Sequence, residues 1–430
     1  MGPGLSSEIR ERPAPHEGGV RVGTFTRWDD LEGHAAAWDA LGESASGDIY
    51  GSFEWSRTWW EFYGGGRRLD VKLVWKGDEL IAVWRLFHET HWLGGLPVRF
   101  VRLVGSDFGF TAGGVFMKPG AEDEAVKALA EALRQSREDW DVLHFGTFRG
   151  TVEIGRELVE AFGRHFPEAD VSYDGEAGPY VVFDMPATFD EYLQKVSKGR
   201  KTTILRKARQ LAREHRVEHI VREGREELEE AFPLFLESHE RLWRGKGSRG
   251  YFNEWPDAKA FHARLIEKLS PARRVFMTEL KVDGETAARQ YCFRFGRKVH
   301  WFQPSREESP EYNQMGTGNI SLFRLFEHAI ATGATAVDGG GRPIDYKLEL
   351  GGRLTSLKVL TVTRRGAWPA ARLLLFKAGA WALNAAYAGL WYRRIAPRLA
   401  ATGKPYAPAW VRSRMRLPRH SGAVTEARAD

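Results

Sequence analysis

Residues 313–341 read NQMGTGNISLFRLFEHAIATGATAVDGGG. The middle has the apolar spacing of an amphipathic helix, and a glycine-rich turn stands directly before it. A short apolar run, ATAVDGGG, follows and ends in Asp338 and three glycines, the pattern of a buried strand. Helix then strand is half of an α/β unit, and residues 125–146, AVKALAEALRQSREDWDVLHFG, run in the same order. Each copy comes after a strand pair turned at an acidic residue and a glycine: LVWKGDELIAVWRLF at 73–87 and TELKVDGETAARQYCF at 278–293. The chain therefore predicts α/β (α+β) architecture in two units of similar layout, each a mixed sheet flanked by helices, in preference to one large sheet. The expected divisions are a flexible leader at 1–20, a first unit at 21–175, a second at 176–363 carrying the site, and a tail at 364–430.

A length of 430 residues suits two domains. The single cysteine, Cys292, excludes an intramolecular disulfide and a cysteine-based zinc site. The leader has no apolar core of a secretory signal, and the expected setting is cytoplasmic. Net charge is +6, but the tail from Arg364 onward has thirteen Lys and Arg against two acids, or +11, which leaves the body mildly acidic. An anionic partner would meet the tail rather than the body. Nucleic acid is disfavoured for that reason, tRNA excepted.

Four places carry side chains capable of chemistry. In Asn313-Gln-Met-Gly316-Thr317-Gly318-Asn319 a glycine loop opens a helix, so backbone N–H groups and the helix dipole could receive a phosphate or pyrophosphate; an ordinary capped helix start is the alternative. Asp338 ends a buried strand, where α/β sheets place ligands. Tyr346 could donate a proton, Lys347 could hold an anion or a developing oxyanion, and Arg342, between Asp338 and Tyr346, could contact the substrate; a plain strand connection is the alternative. Lys201 and Arg206 lie in the basic helix KGRKTTILRKARQLAREH (198–215), facing either an acidic substrate or only solvent. Glu237, His239 and Trp243 bunch on a further helix, where surface placement is the rival reading, and Gln290 in the second strand pair completes the substrate set. No HExxH or other ligand spacing is present, so no metal is expected.

Taken in order, SFEWSRTWWEFY, YLQKVSKGRKTTILRKARQL, ESHERLW, LKVDGETAARQYCFRFGRKVHWFQP, GTGNISLFRLFEHAIATG and VDGGGRPIDYKLELGG resemble the GNAT-superfamily acyltransferases of the cellulose-biosynthesis-associated (CelD/BcsL-like) type, which are related to FemAB aminoacyl transferases. The resemblance spans residues 22–362. It implies tandem GNAT-like domains and acyl transfer to an amine or hydroxyl, from acetyl-CoA or another acyl-CoA. The family's pyrophosphate loop, Q/R-x-x-G-x-G/A, falls on Asn313, Gly316 and Gly318, with asparagine where the pattern has glutamine or arginine. Tyr346 and Lys347 match the family's pair, whereas Gly339, Gly340 and Gly341 stand where relatives carry aromatic residues. The implied acceptor is a saccharide or small molecule of the cell envelope or an exopolysaccharide. The alternatives are aminoacyl transfer from charged tRNA and a non-catalytic scaffold of a polysaccharide-synthesis complex.

The stretch LLLFKAGAWALNAAYAGLWY at 373–392 is long enough to span a bilayer, but it contains Lys377 and Asn384 and is flanked by arginines. Packing on the body is the first reading, and peripheral contact with an anionic membrane at the inner face of the cell is the second.

Overall fold

A computed structural model describes residues 19–45, 47–109, 114–135, 140–149, 152–174, 179–246, 248–341, 345–396, 398, 406–415 and 417. The expected leader lies outside these residues except for Gly19 and Val20, and Val20 already pairs with Lys76.

The first half runs β1 (Val20–Phe25), α1 (Ala35–Ala45), α2 (Phe53–Tyr63), β2 (Arg68–Lys76), β3 (Glu79–His91), β4 (Val98–Leu103), β5 (Phe116–Met117), α3 (Glu122–Gln135), β6 (Val142–Arg149), α4 (Val152–His165) and β7 (Ala169–Asp174). The second runs β8 (Pro179–Asp184), α5 (Phe189–Lys195), α6 (Lys198–Glu214), β9 (Val217–Arg222), α7 (Arg225–Gly245), α8 (Tyr251–Glu254), α9 (Ala258–Leu269), β10 (Val275–Val282), β11 (Glu285–Phe295), β12 (Lys298–Arg306), α10 (Pro310–Met315), α11 (Thr317–Ala331), β13 (Ala336–Gly340), α12 (Asp345–Glu349) and β14 (Arg353–Arg364). The tail holds α13 (Ala367–Leu383), continued in π-helical geometry to Ile395, and α14 (Pro408–Ser413).

The two halves repeat one topology. β1–β2–β3–β4 are antiparallel neighbours, and β4 then runs parallel to β6 after the crossover helix α3. β9–β10–β11–β12 follow the same order, and β12 runs parallel to β13 after α11. The strand pairs turn where the sequence places its acidic-glycine dipeptides: Asp283 (φ 52°) and Gly284 (φ 88°) both take left-handed backbone, which a tight two-residue hairpin requires. The expected two mixed sheets flanked by helices are therefore present, and a crossed strand joins them. Within β14, Arg353–Ser356 pair with β8 in the second sheet. Further along, Leu357–Thr363 pair with β6 and Val359–Arg364 with β7 in the first. The last strand of the body thus completes the sheet that the chain began with.

The largest core lies between the units. α2 is wedged there because its tryptophans fall at helical spacing: Trp55 and Trp59 are fully buried, and Trp55 meets Phe261, Phe293 and Phe302 of the second unit edge-on. Each such ring withdraws roughly 150–250 Å² from water, so α2 holds the units in register.

Candidate functional site

The parallel pairing of β12 with β13 lasts three rungs, Lys298/Ala336, Val299/Val337 and His300/Asp338, while β12 itself continues to Arg306. The residues that could act on a ligand gather around this end of the pair.

An open cleft is lined by the 312–319 turn, Arg306 at the end of β12, and one face of α6. Gly316 makes the turn. It closes α10 and caps α11 with φ 74°, ψ 31°, a left-handed conformation that suits glycine. A Cβ on Gly316 would stand 3.0 Å from Lys207 Cδ, and one on Gly318 would stand 3.4 Å from Arg306 Cδ. Both glycines therefore let basic side chains close over the helix start. The Asn319 amide bonds the Gly316 carbonyl, whereas the Thr317 and Gly318 amides belong to the first turn, which has no carbonyl behind it within the helix. No acid lies in that turn, and Arg200, Lys207 and Arg306 surround it. The counterpart in the first unit, α3, opens with Glu122, Asp123 and Glu124, which would repel an anion. Of the two crossover helices, only α11 opens without an acid and beside three cations.

On the sheet side of α11, Lys347 is 5% exposed. Its ammonium donates to the Gly341 carbonyl at 2.5 Å and lies 5.6 Å from the Trp301 ring centroid. Burial pushes its pKa down to about 8, against a smaller upward pull from the Asp338 carboxylate. Burial also pushes the neighbouring Tyr346 phenol up to about 12, so it keeps its proton at neutral pH. Asp338 is buried; it accepts from the Gly340 amide at 3.0 Å and faces His300 Nδ1 at 3.1 Å. The other His300 nitrogen lies 2.9 Å from the Gly47 carbonyl, tying this corner to the first unit.

The glycines of VDGGG build a β-bulge between Asp338 and Gly340. A Cβ on Gly339 would come within 2.6 Å of the Phe183 ring, and Gly340 takes φ 71°. They bend the end of β13 so that it packs on β8 while Asp338 stays buried.

Asn313, Gly316, Thr317, Gly318 and Asn319, expected from the sequence to hold the donor, all line the cleft. Asp338, Tyr346 and Lys347 group as described above. The substrate set divides. On α6 the cleft face is Arg200, Thr203, Ile204 and Lys207, at spacings of three and four; Lys201 and Arg206 are not on it. Glu237 is exposed on α7. His239 is buried, and since the Pro304 carbonyl 3.1 Å away can only accept, its Nδ1 carries the proton; burial pushes its pKa down to about 4. Trp243 packs beside it at 6.0 Å between ring centroids. Gln290 is buried and accepts from the Trp301 indole at 2.7 Å. Arg342 lies outside the described residues. Residues that sequence reading passed over are Arg200, Lys207, Arg306, His300 and Trp301. The helical repeat of KGRKTTILRK could have revealed the first two, whereas nothing local marks the others.

Residues 197–348 match the family model described as an acetyltransferase (GNAT) domain. This stretch holds the cleft, Asp338, Tyr346 and Lys347. Among solved structures, the chain is similar to FemX at 12% identity and TM-score 0.60, covering 82% of this chain and 100% of that one. A tandem GNAT protein from the clavulanic acid biosynthesis pathway aligns at 13% identity and TM-score 0.41, covering 80% of this chain and 99% of that one. L-PGS from Bacillus licheniformis aligns at 12% identity and TM-score 0.44, covering 80% and 95%. No curated protein matches the sequence. The chain thus has a FemX-like fold, and a segment of its second half matches the GNAT domain model.

Proposed function

We propose that the protein is an acyltransferase that takes its acyl group from acyl-CoA and passes it to an amine or hydroxyl of an envelope- or exopolysaccharide-related acceptor. The observation that supports this reading is the presence, within one GNAT-matching segment, of a cation-lined cleft at the start of α11 and a buried Lys347 whose pKa burial lowers to about 8. Arg200, Lys207, Arg306 and the α11 amides hold the donor's pyrophosphate. The acceptor's nitrogen or oxygen attacks the thioester carbonyl carbon, and the C–S bond breaks. Neutral Lys347 takes the acceptor's proton, and the Tyr346 hydroxyl gives one to the leaving sulfur. Positioning supplies most of the remaining acceleration, so no covalent nucleophile is needed. The envelope-type acceptor follows the sequence resemblance to the cellulose-associated branch.

Calorimetric titration with acetyl-CoA tests the donor, with saturable binding expected in the wild type and a Kd about tenfold higher in Lys207→Ala. No heat and no thermal shift at millimolar donor would end the CoA reading. Charged tRNA is the second donor to titrate, since Asn313 in the cleft departs from the glutamine or arginine of the CoA loop and the resemblance extends to FemAB transferases.

A further inference from the structure

The helix after β14 shows an apolar face that the described residues leave open. Ala367–Ile395 runs 29 residues, long and apolar enough to cross a bilayer by length and composition, with 11% of its most apolar window buried. Trp368 (67% exposed), Leu374 (68%), Trp381 (74%) and Leu390 (51%) point outward. The other outward residues between 367 and 390 are Leu375 and alanines, with Asn384 the one polar exception. Trp92, 68% exposed at the β3–β4 turn, stands beside them: Gly94 of that turn comes so close to α13 that a Cβ there would lie 2.4 Å from the Leu375 carbonyl oxygen.

The same contacts fix how the helix lies. Leu373 and Phe376 pack on Val98, Phe100 and Val142, and Arg372 pairs with Asp141 at 3.2 Å. At the far end the Tyr387 hydroxyl accepts from the Ala407 amide at 2.9 Å, and the Asn384 carbonyl oxygen accepts from the Trp410 indole at 3.2 Å. Trp410 and Val411 are buried in the core between the units. The helix is thus held against the body along its length, and the chain returns to the body after it. Crossing a bilayer would break every one of these contacts; lying flat on one breaks none.

Charge selects the occupant. No acid occurs between Arg364 and Thr425, and the segment 364–430 carries +11. Arg365 stands exposed just before the apolar face, and Arg393 and Arg394 stand exposed just after it. A second copy would set two such tails against each other, whereas a sheet of anionic phospholipid receives both the apolar residues and the cations. We infer that the Trp92/α13 face is a membrane-docking surface, on which the enzyme rests in the headgroup region of an anionic bilayer without spanning it.

Flotation of the full chain with vesicles tests this, using phosphatidylcholine alone and phosphatidylcholine mixed with phosphatidylglycerol. Binding to the mixed vesicles is expected at about tenfold or more above phosphatidylcholine alone, falling with added salt. Arg393→Glu with Arg394→Glu, both exposed, should lose most of that preference at unchanged melting temperature. Trp368→Ser with Trp381→Ser should weaken binding to both vesicle types. Failure of the wild type to float with either, or equal flotation of the arginine variant, overturns the inference. So does a lipid-free dimer that the tryptophan substitutions dissociate, since the face would then belong to a second copy.

Discussion

Trp301 donates its indole N–H to Gln290 Oε1 at 2.7 Å, and the Gln290 amide in turn donates to Ser321 Oγ at 3.1 Å. Trp301 lies 5.6 Å from the Lys347 ammonium, and Ser321 lies on α11 close to the end that lines the cleft. The two halves of the proposed reaction, holding the donor and accepting the proton, are therefore tied through one buried glutamine.

Gln290→Leu keeps the volume and cuts this tie. It leaves two buried polar groups without a partner, at a cost of about 1–3 kcal/mol each. The expected result is a lowered melting temperature and a fall in kcat of about tenfold or more, with donor Kd nearly unchanged because the cleft residues stay in place. A change in Kd with kcat intact would mean that Gln290 supports the cleft and not the Lys347 pocket.

Under the proposed reaction, Lys347 should give the site its pH dependence. Its pKa falls from an ordinary lysine value to about 8 on folding. Turnover should therefore rise with pH through an apparent pKa near that value. Asp338→Asn removes the carboxylate that pulls the other way, so the same limb should move to lower pH. The effect on stability has a definite sign. Between about 8 and the unfolded value the unfolded chain holds the extra proton, so stability rises with pH across that window. Against Lys347→Met, the wild type should gain on the order of 2–3 kcal/mol over it, read from urea unfolding at fixed pH values. A flat difference would place Lys347 in a wetter setting than its burial suggests.

The basic helix supplies a paired test. Lys207 and Arg200 face the cleft, whereas Arg206 and Lys201 do not line it. Lys207→Ala should raise donor Kd about tenfold, the loss of roughly 1.4 kcal/mol. Arg200→Ala should do somewhat less, because Arg200 Nε already shares Glu349 at 2.8 Å. Arg206→Ala should leave Kd within error. Equal effects at positions 206 and 207 would point to a diffuse charge field rather than a seat.

How much of this could be read from the residues depended on the range of the signal. The strand pairs, α2, α11 and β13 were legible because periodicity and acidic-glycine turns are local. The 313–319 loop was legible for the same reason, since a glycine before a helix states its own geometry. The right face of α6 was not, because a run of six cations over 198–209 offers several faces and only contact with Gly316 and Arg306 selects one. His300 and Trp301 were invisible for a deeper reason. They sit in an ordinary strand, and their partners, Asp338, Gly47 and Gln290, are 38, 253 and 11 residues away.

β14 is the part of the fold that local pattern could least foresee, and it yields the sharpest test of how the two units cohere. Its far end is buried: Val362, fully enclosed, pairs with Leu143 of β6 and Val171 of β7. Its near end pairs with β8, where Leu354 is 54% exposed. One strand thus carries ladder bonds of both sheets, and neither sheet can release it without losing an interior neighbour. Val362→Asp would put a carboxylate in the apolar core of the first unit, at a cost of several kcal/mol, whereas Leu354→Asp should shift stability by about 0.5 kcal/mol or less. If the strand couples the units, thermal unfolding followed by circular dichroism is a single transition. Val362→Asp then lowers all of it, including the intensity from the second unit and the donor affinity of a cleft in the other sheet. Two separable transitions, with only the first displaced by the substitution, would show that the crossed strand joins the sheets without making them fold as one.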